Sequence, residues 1–343
     1  MKVRNYNIYN SLYINLIDDR DIISQKMDLF AKDYDYFETE CDHHPDITII
    51  ISDFDEKTDV YLLENDKFAV DSGYLFGKKK YKIAKFTYSI EICKSGSIIT
   101  KISPNFFANR VIHHLLLDYL INIGLFSKGY SNLHCSGIEK DREAILLTGP
   151  GGSGKTSFAL KCLEMNYKLL GDDRIFLKNG IAYPFPESPG IEYDNLNYIK
   201  SFIDPWTRYV VIFNKFINII SKGYVGATLS KKFLDVFPKN VLAAESVVKS
   251  IIFLQPSTKF GVESINRNEL IRKLYINQVN EDKYMSEIIY NYSTMFPKNF
   301  FVNYVDSYSE ILDKNLPNDI DAQLIRFPKK EYGLVNKWLE DNL

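Results

Sequence analysis

Short apolar runs broken by turn-formers fill the first hundred positions. Residues 11–17, 47–51, 60–63 and 85–92 are rich in Tyr, Ile, Val and Thr, and Asp53-Phe54-Asp55 and Asp71-Ser72-Gly73 divide them. That composition predicts a strand-rich N-terminal domain. The period then changes. Ser103-Pro104 has the form of an N-cap followed by a first-turn proline, and predicts a helix through about Ile123. Val111, Leu115, Tyr119 and Ile123 recur every fourth position, giving that helix an apolar face, and Gly124 and Gly129 break it.

From Ser131 onward the pattern is that of an α/β unit. Residues 143–148 predict a short buried strand, 155–166 a helix, and 167–170 a second strand ending in Gly171-Asp172-Asp173. The three prolines within 183–190 predict a loop. Further helices are expected at 207–220, 268–279, 283–292 and 331–342, with strands at 247–254 and 322–327. The fold class expected is α/β (α+β overall). Residues 1–128 form a strand-rich domain with a role in substrate recognition, and 129–343 form a catalytic domain of mixed sheet and helices.

Between the first strand and helix of that unit stands Gly149-Pro150-Gly151-Gly152-Ser153-Gly154-Lys155-Thr156. This is the spacing of a P-loop, in which backbone N–H groups must wrap a phosphate at contact distance, so glycines are needed. Lys155 supplies a point charge to the β- and γ-phosphates, and Thr156 offers its hydroxyl to Mg2+. Ser153 and Ser157 complete the nucleotide-binding set, and the N-terminus of the following helix adds unpaired N–H donors. The cofactors expected are ATP and Mg2+.

Asp172-Asp173 follows Lys155 by one helix and one strand. Two adjacent carboxylates at a strand end suit phosphoryl transfer. One, assigned to Asp173, lies on the magnesium side; the other, Asp172, takes the proton from the attacking hydroxyl. An acidic surface turn is the plainer reading of such a dipeptide, but its position beside a P-loop unit favours catalysis. His134 precedes the P-loop strand and is a candidate catalytic residue or a packed histidine. Arg174 reaches a phosphate or forms a strand-end ion pair, and Lys231, Lys232 and Arg208 are candidate or merely solvated cations. His113-His114 lie on a helix, where neighbours face different directions, and with His43-His44 they are assigned no metal.

Composition narrows the classes. Lys and Arg total 42 against 44 Asp and Glu, a net charge of −2, so nucleic acid and anionic membranes are not expected partners. The 24 Tyr and 23 Phe stand out; codon bias accounts for them as readily as chemistry. Cys41, Cys93, Cys135 and Cys162 form no C-x-x-C pair, which points to a reducing compartment and away from zinc or iron–sulfur sites. No apolar h-region opens the chain and no run is long enough to span a bilayer, so a cytoplasmic location is expected.

Taken together, Leu133-His134, the strand 145–149, Gly154-Lys155-Thr156 and the run Tyr167 to Asp173 resemble the catalytic domain of HPr kinase/phosphorylase, itself related to ATP-dependent phosphoenolpyruvate carboxykinase. The resemblance is specific over 131–177 and does not reach the N-terminal portion. Its nearest form is the HPr-kinase-like proteins of lasso peptide biosynthesis, which phosphorylate a peptide serine. The resemblance implies that His134 tunes the acidic pair, that Asp172 is the catalytic base, and that Asp173 is its magnesium-side neighbour. Gly152 and Ser157 depart from the Ser and Glu common at those positions, and the signature that follows the acidic strand in bifunctional members is missing. A kinase without phosphorylase activity, acting on a substrate other than HPr, is therefore implied. The ring assemblies of that family leave a homo-oligomer open by analogy alone.

Other P-loop classes fit less well. Asn214-Lys215-Phe216-Ile217 lacks the final Asp of a guanine-reading motif, and there is no Leu-Ser-Gly-Gly signature. Two readings remain: a kinase acting on a serine or threonine of a peptide or protein, with a small-molecule hydroxyl as its variant, and a non-catalytic ATP-gated binding module.

Overall fold

The structure is a computed structural model and describes residues 2–19, 34–40, 43–57, 60–63, 68–187, 189–223, 226, 228–298, 300–328 and 331–343. Cys41 lies outside the described residues. The chain is a mixed α/β protein made of two compact units, Met1–Tyr130 with Val279–Tyr308, and Ser131–Gln278 with Ser309–Leu343.

The first unit is built on a nine-stranded sheet. Its centre is parallel: Leu12–Asp18 pairs with Ile47–Ile51, which pairs with Ile98–Pro104. Every second residue of these strands is buried (Leu12, Ile14 and Leu16; Ile47, Ile49 and Ile51), so one face of the sheet faces a core. Ile98–Pro104 continues as a strand to Pro104, which pairs with Phe86, and the helix expected from Ser103 instead begins at Asn109. The alternating Ile98, Thr100 and Ile102 are buried, and this period-two burial outweighs the local capping signal. The helix contains a π-helical turn at His113–Leu117. That turn rotates the following residues relative to the preceding ones. The apolar face expected at i+4 spacing is therefore not a single stripe: Leu116 to Leu125 are buried all round, whereas Val111 and Leu115 are only half-buried.

The second unit has a mixed sheet ordered Ser131–Leu133, Ile175–Lys178, Ile181–Tyr183, Ser246–Ser257, Glu143–Thr148, Cys135–Lys140, Lys168–Gly171. Asp321–Pro328 runs parallel to Ser246–Ser257, and Gly261–Ser264 pairs antiparallel to it. Cys135–Lys140 and Glu143–Thr148 form a hairpin whose two turn residues, Asp141 and Arg142, both have positive φ (54° and 64°), as a type I′ turn requires. Helix Lys155–Cys162 packs Phe158, Ala159 and Leu160 into a core shared with Leu147, Ile252, Leu254, Phe327 and Leu339. Phe158 is fully buried, which is worth about 2–3 kcal/mol in removed apolar area. Helix Pro205–Ile220 starts where the Asp204 side chain accepts the Thr207 N–H at 2.8 Å, with proline at N1.

Register fixes what meets at one sheet end. Cys135 pairs with Thr148 and Gly137 with Gly171. The residues just outside those pairs, His134, Gly149 and Asp172, therefore emerge together from three neighbouring strands.

Candidate nucleotide and phosphoryl-transfer site

Gly149, Gly152 and Gly154 have φ of +143°, +74° and +87°. A Cβ on Gly149 would lie 2.2 Å from the Leu254 carbonyl oxygen, so only glycine lets the loop leave the strand against its parallel neighbour. A Cβ on Gly154 would meet the Tyr332 ring at 2.8 Å. Gly151 has open space around it, and Ser153 N–H closes the turn on the Pro150 carbonyl at 3.1 Å. Lys155 is buried, and its ammonium reaches back to the Gly149 carbonyl at 3.0 Å. The Ser153 hydroxyl is buried without a hydrogen-bond partner among the described residues. A buried hydroxyl, a buried ammonium and a glycine-lined turn at a helix N-terminus are a donor set that fits phosphate oxygens.

Beside the loop, Thr156 Oγ1 donates to Asp172 Oδ1 at 3.0 Å, and the Ser136 hydroxyl donates to the same oxygen. Burial, and next the neighbouring Asp173 charge, push the Asp172 carboxyl up from 3.8 to about 6; Ser136, Thr156 and Lys155 pull it the other way. Asp173 is exposed and sits in the left-handed region at φ +65°, so the two carboxyl-bearing residues take different backbone conformations. His134 is buried, with Nδ1 3.1 Å from the Asp173 carbonyl oxygen. Its own carbonyl accepts from Thr148 Oγ1 at 3.0 Å and Asn277 Nδ2 at 3.2 Å, which ties the P-loop strand to helix Arg267–Glu281.

Thr156 and Lys155 thus lie with Asp172, while His134 contacts the backbone of Asp173. Ser157 points elsewhere, donating to Asn195 Oδ1 at 2.7 Å. Arg174 makes a strand-end ion pair with Glu187 at 3.3 Å and lies over the Phe185 ring. Lys231 is engaged by Asp204 at 3.4 Å. In the other unit His113 is buried, whereas His114 is mostly exposed and lies 3.4 Å from Asp118, so the adjacent pair faces two environments. Sequence reasoning missed Ser136, Asn277, Asn195 and Glu187. Ser136 was accessible in principle, as a polar residue on the strand that leads out of His134 beside the P-loop strand. The others carry no motif.

Among the described residues no group of three or more His, Cys, Asp or Glu side chains could hold a metal, and no helix is long and apolar enough to cross a membrane. The Thr156 hydroxyl, hydrogen-bonded to Asp172, and the exposed Asp173 carboxylate next in sequence are oxygen donors of the kind Mg2+ takes alongside substrate phosphates and water.

No family model and no curated protein matches the chain. Among solved structures it is similar to the Hpr(Ser) kinase/phosphatase from Coxiella burnetii, at 14% identity over 62% of this chain and 95% of that one, with a TM-score of 0.28.

Proposed function

We propose that the protein is an ATP-dependent, Mg2+-requiring kinase that transfers the γ-phosphoryl group to a hydroxyl, a serine of a peptide or protein in the first instance. One observation carries this reading: the P-loop hydroxyl of Thr156 is hydrogen-bonded at 3.0 Å to a carboxyl raised to about 6. Metal-side and base-side groups thus adjoin at one strand end. A carboxyl held near 6 is better matched to accepting a hydroxyl proton at neutral pH than an ordinary aspartate.

In this reading Lys155 and the loop N–H groups hold the phosphates, and Thr156 with Asp173 faces Mg2+, which when bound offsets charge on the phosphates. Asp172 takes the acceptor proton, and His134 holds the backbone of the acidic turn. The Thr156–Asp172 hydrogen bond also supports the exchanged assignment, with Asp172 on the metal side and Asp173 as base. The base variant should keep nucleotide affinity and its Mg2+ dependence; the metal-side variant should lose the latter. Incubation with γ-labelled ATP, Mg2+ and panels of serine peptides and small hydroxyl compounds tests the proposal. Label on an acceptor supports it. Nucleotide binding with only slow phosphate release would favour an ATP-gated module instead.

A further inference from the structure

Helix Pro205–Ile220, in the second unit, turns its apolar side outward. Only Thr207 and Val211 are buried. Asn214, Lys215 and Asn218 are half-buried, and Lys215 lies 4.0 Å from Asp194. Trp206, Tyr209, Phe213, Phe216 and Ile220 are all exposed, Trp206 by 70%. They recur at alternating steps of three and four, the seam period that one helix presents to another. Ile212 and Ile219, also exposed, widen the stripe along one flank. Trp206 stacks on Tyr209 at 5.6 Å and Tyr209 on Phe213 at 6.4 Å, so the rings already form a continuous rib.

The area is that of an interface. A large aromatic side chain carries about 150–250 Å², so with about half or more of each side chain in solvent the stripe presents roughly 700 Å². The largest apolar patch of a typical monomer is about 300–600 Å². A stable pair buries about 800 Å² per partner.

We propose that this face pairs with the same face of a second copy of the chain, the two helices antiparallel about a two-fold axis at Phe213, the middle of the seam. A two-fold axis sets one patch against itself, so a single stripe closes the dimer without a second complementary surface. Antiparallel packing also sets the helix dipoles head to tail. A lipid surface fits the face less well. Interfacial helices carry Lys and Arg along their polar side, whereas this one has Arg208 and Lys215 alone, follows Asp204, and belongs to a chain of net charge −2. Pairing of this kind is independent of the chemistry at the nucleotide site.

Sedimentation velocity of the full chain across a dilution series tests the pairing, with pelleting on phosphatidylcholine–phosphatidylserine vesicles alongside. A dimer with Kd below about 10 μM is expected. Phe213→Glu combined with Phe216→Glu places like charges across the axis and should raise Kd at least a hundredfold. Both side chains are exposed in the single chain, so circular dichroism and ATP affinity should not change. Trp206→Gln with Ile220→Gln, at the two ends of the seam, should raise Kd at least tenfold and serves if the charged variant does not fold. Under mild oxidation Phe213→Cys should cross-link copy to copy at least tenfold faster than Ile220→Cys, whose counterpart lies at the opposite end. A monomer at every concentration overturns the proposal, and vesicle binding by that monomer assigns the face to lipid instead. Undiminished dimer affinity in either folded variant overturns it too, and equal cross-linking at the two cysteines overturns the antiparallel axis.

Discussion

Replacing Asp172 with Asn should stabilise the nucleotide-free protein above pH 6 and leave it unchanged near pH 4. The carboxyl is raised from 3.8 to about 6 by burial and by Asp173, so the folded state binds the proton more tightly than the unfolded chain does. With the folded value raised, the favourable contribution is fully present below 3.8 and is lost as pH rises through 6. At about 1.4 kcal/mol per tenfold change in proton affinity, the ionised carboxylate costs the fold about 3 kcal/mol at pH 8. Asparagine keeps an oxygen to accept from Ser136 and Thr156 but gives them a weaker, uncharged partner, so a net gain of about 1–3 kcal/mol is expected. The assay is thermal unfolding of both proteins from pH 4.5 to 8.5, where each kcal/mol moves Tm by roughly 2–4 °C in a unit of this size. The variant's advantage should appear between pH 4.5 and 6.5 and then level off. An equal Tm difference at every pH, or a variant less stable at pH 8, would refute the electrostatic reasoning.

Lys155→Ala should weaken nucleotide binding and transfer together, since it removes the buried ammonium beside Gly149; titration with a fluorescent ATP analogue should show at least tenfold loss of affinity. Gly149→Ala should cost more than 2 kcal/mol and disrupt nucleotide binding, because its Cβ would lie 2.2 Å from a backbone oxygen; denaturant unfolding measures this. Burial pushes the Cys162 thiol up to about 12 and the Cys135 thiol well above its ordinary value. Both should resist iodoacetamide at pH 8 while half-buried Cys93 reacts, as peptide mass mapping would report.

The site was legible in the sequence where chemistry demands local runs. The P-loop is contiguous because one turn must wrap one phosphate. Its strand and helix flanks were legible because Ala144 to Leu147 and Phe158 to Leu160 are buried in sequence order. The acidic pair was legible because one helix and one strand return the chain to the same sheet end. Long-range partners were not legible. Asn277 reaches the His134 carbonyl from 143 positions away, and a single asparagine on a helix announces nothing. The Ser103-Pro104 misreading arose because a strand end and a helix start share the same residues there, and sheet pairing decided between them. Helix Phe300–Asn315 was not anticipated, although Tyr304, Tyr308 and Leu312 recur at i+4 spacing and are buried.

The most direct test of the central claim is single-turnover transfer from γ-labelled ATP to a serine peptide accepted by the wild-type protein, compared with Asp172→Asn under saturating Mg2+. The account predicts nucleotide affinity within threefold of wild type and a transfer rate lower by at least a hundredfold, within the range over which a positioned base contributes. Transfer by the variant at a near wild-type rate would contradict it.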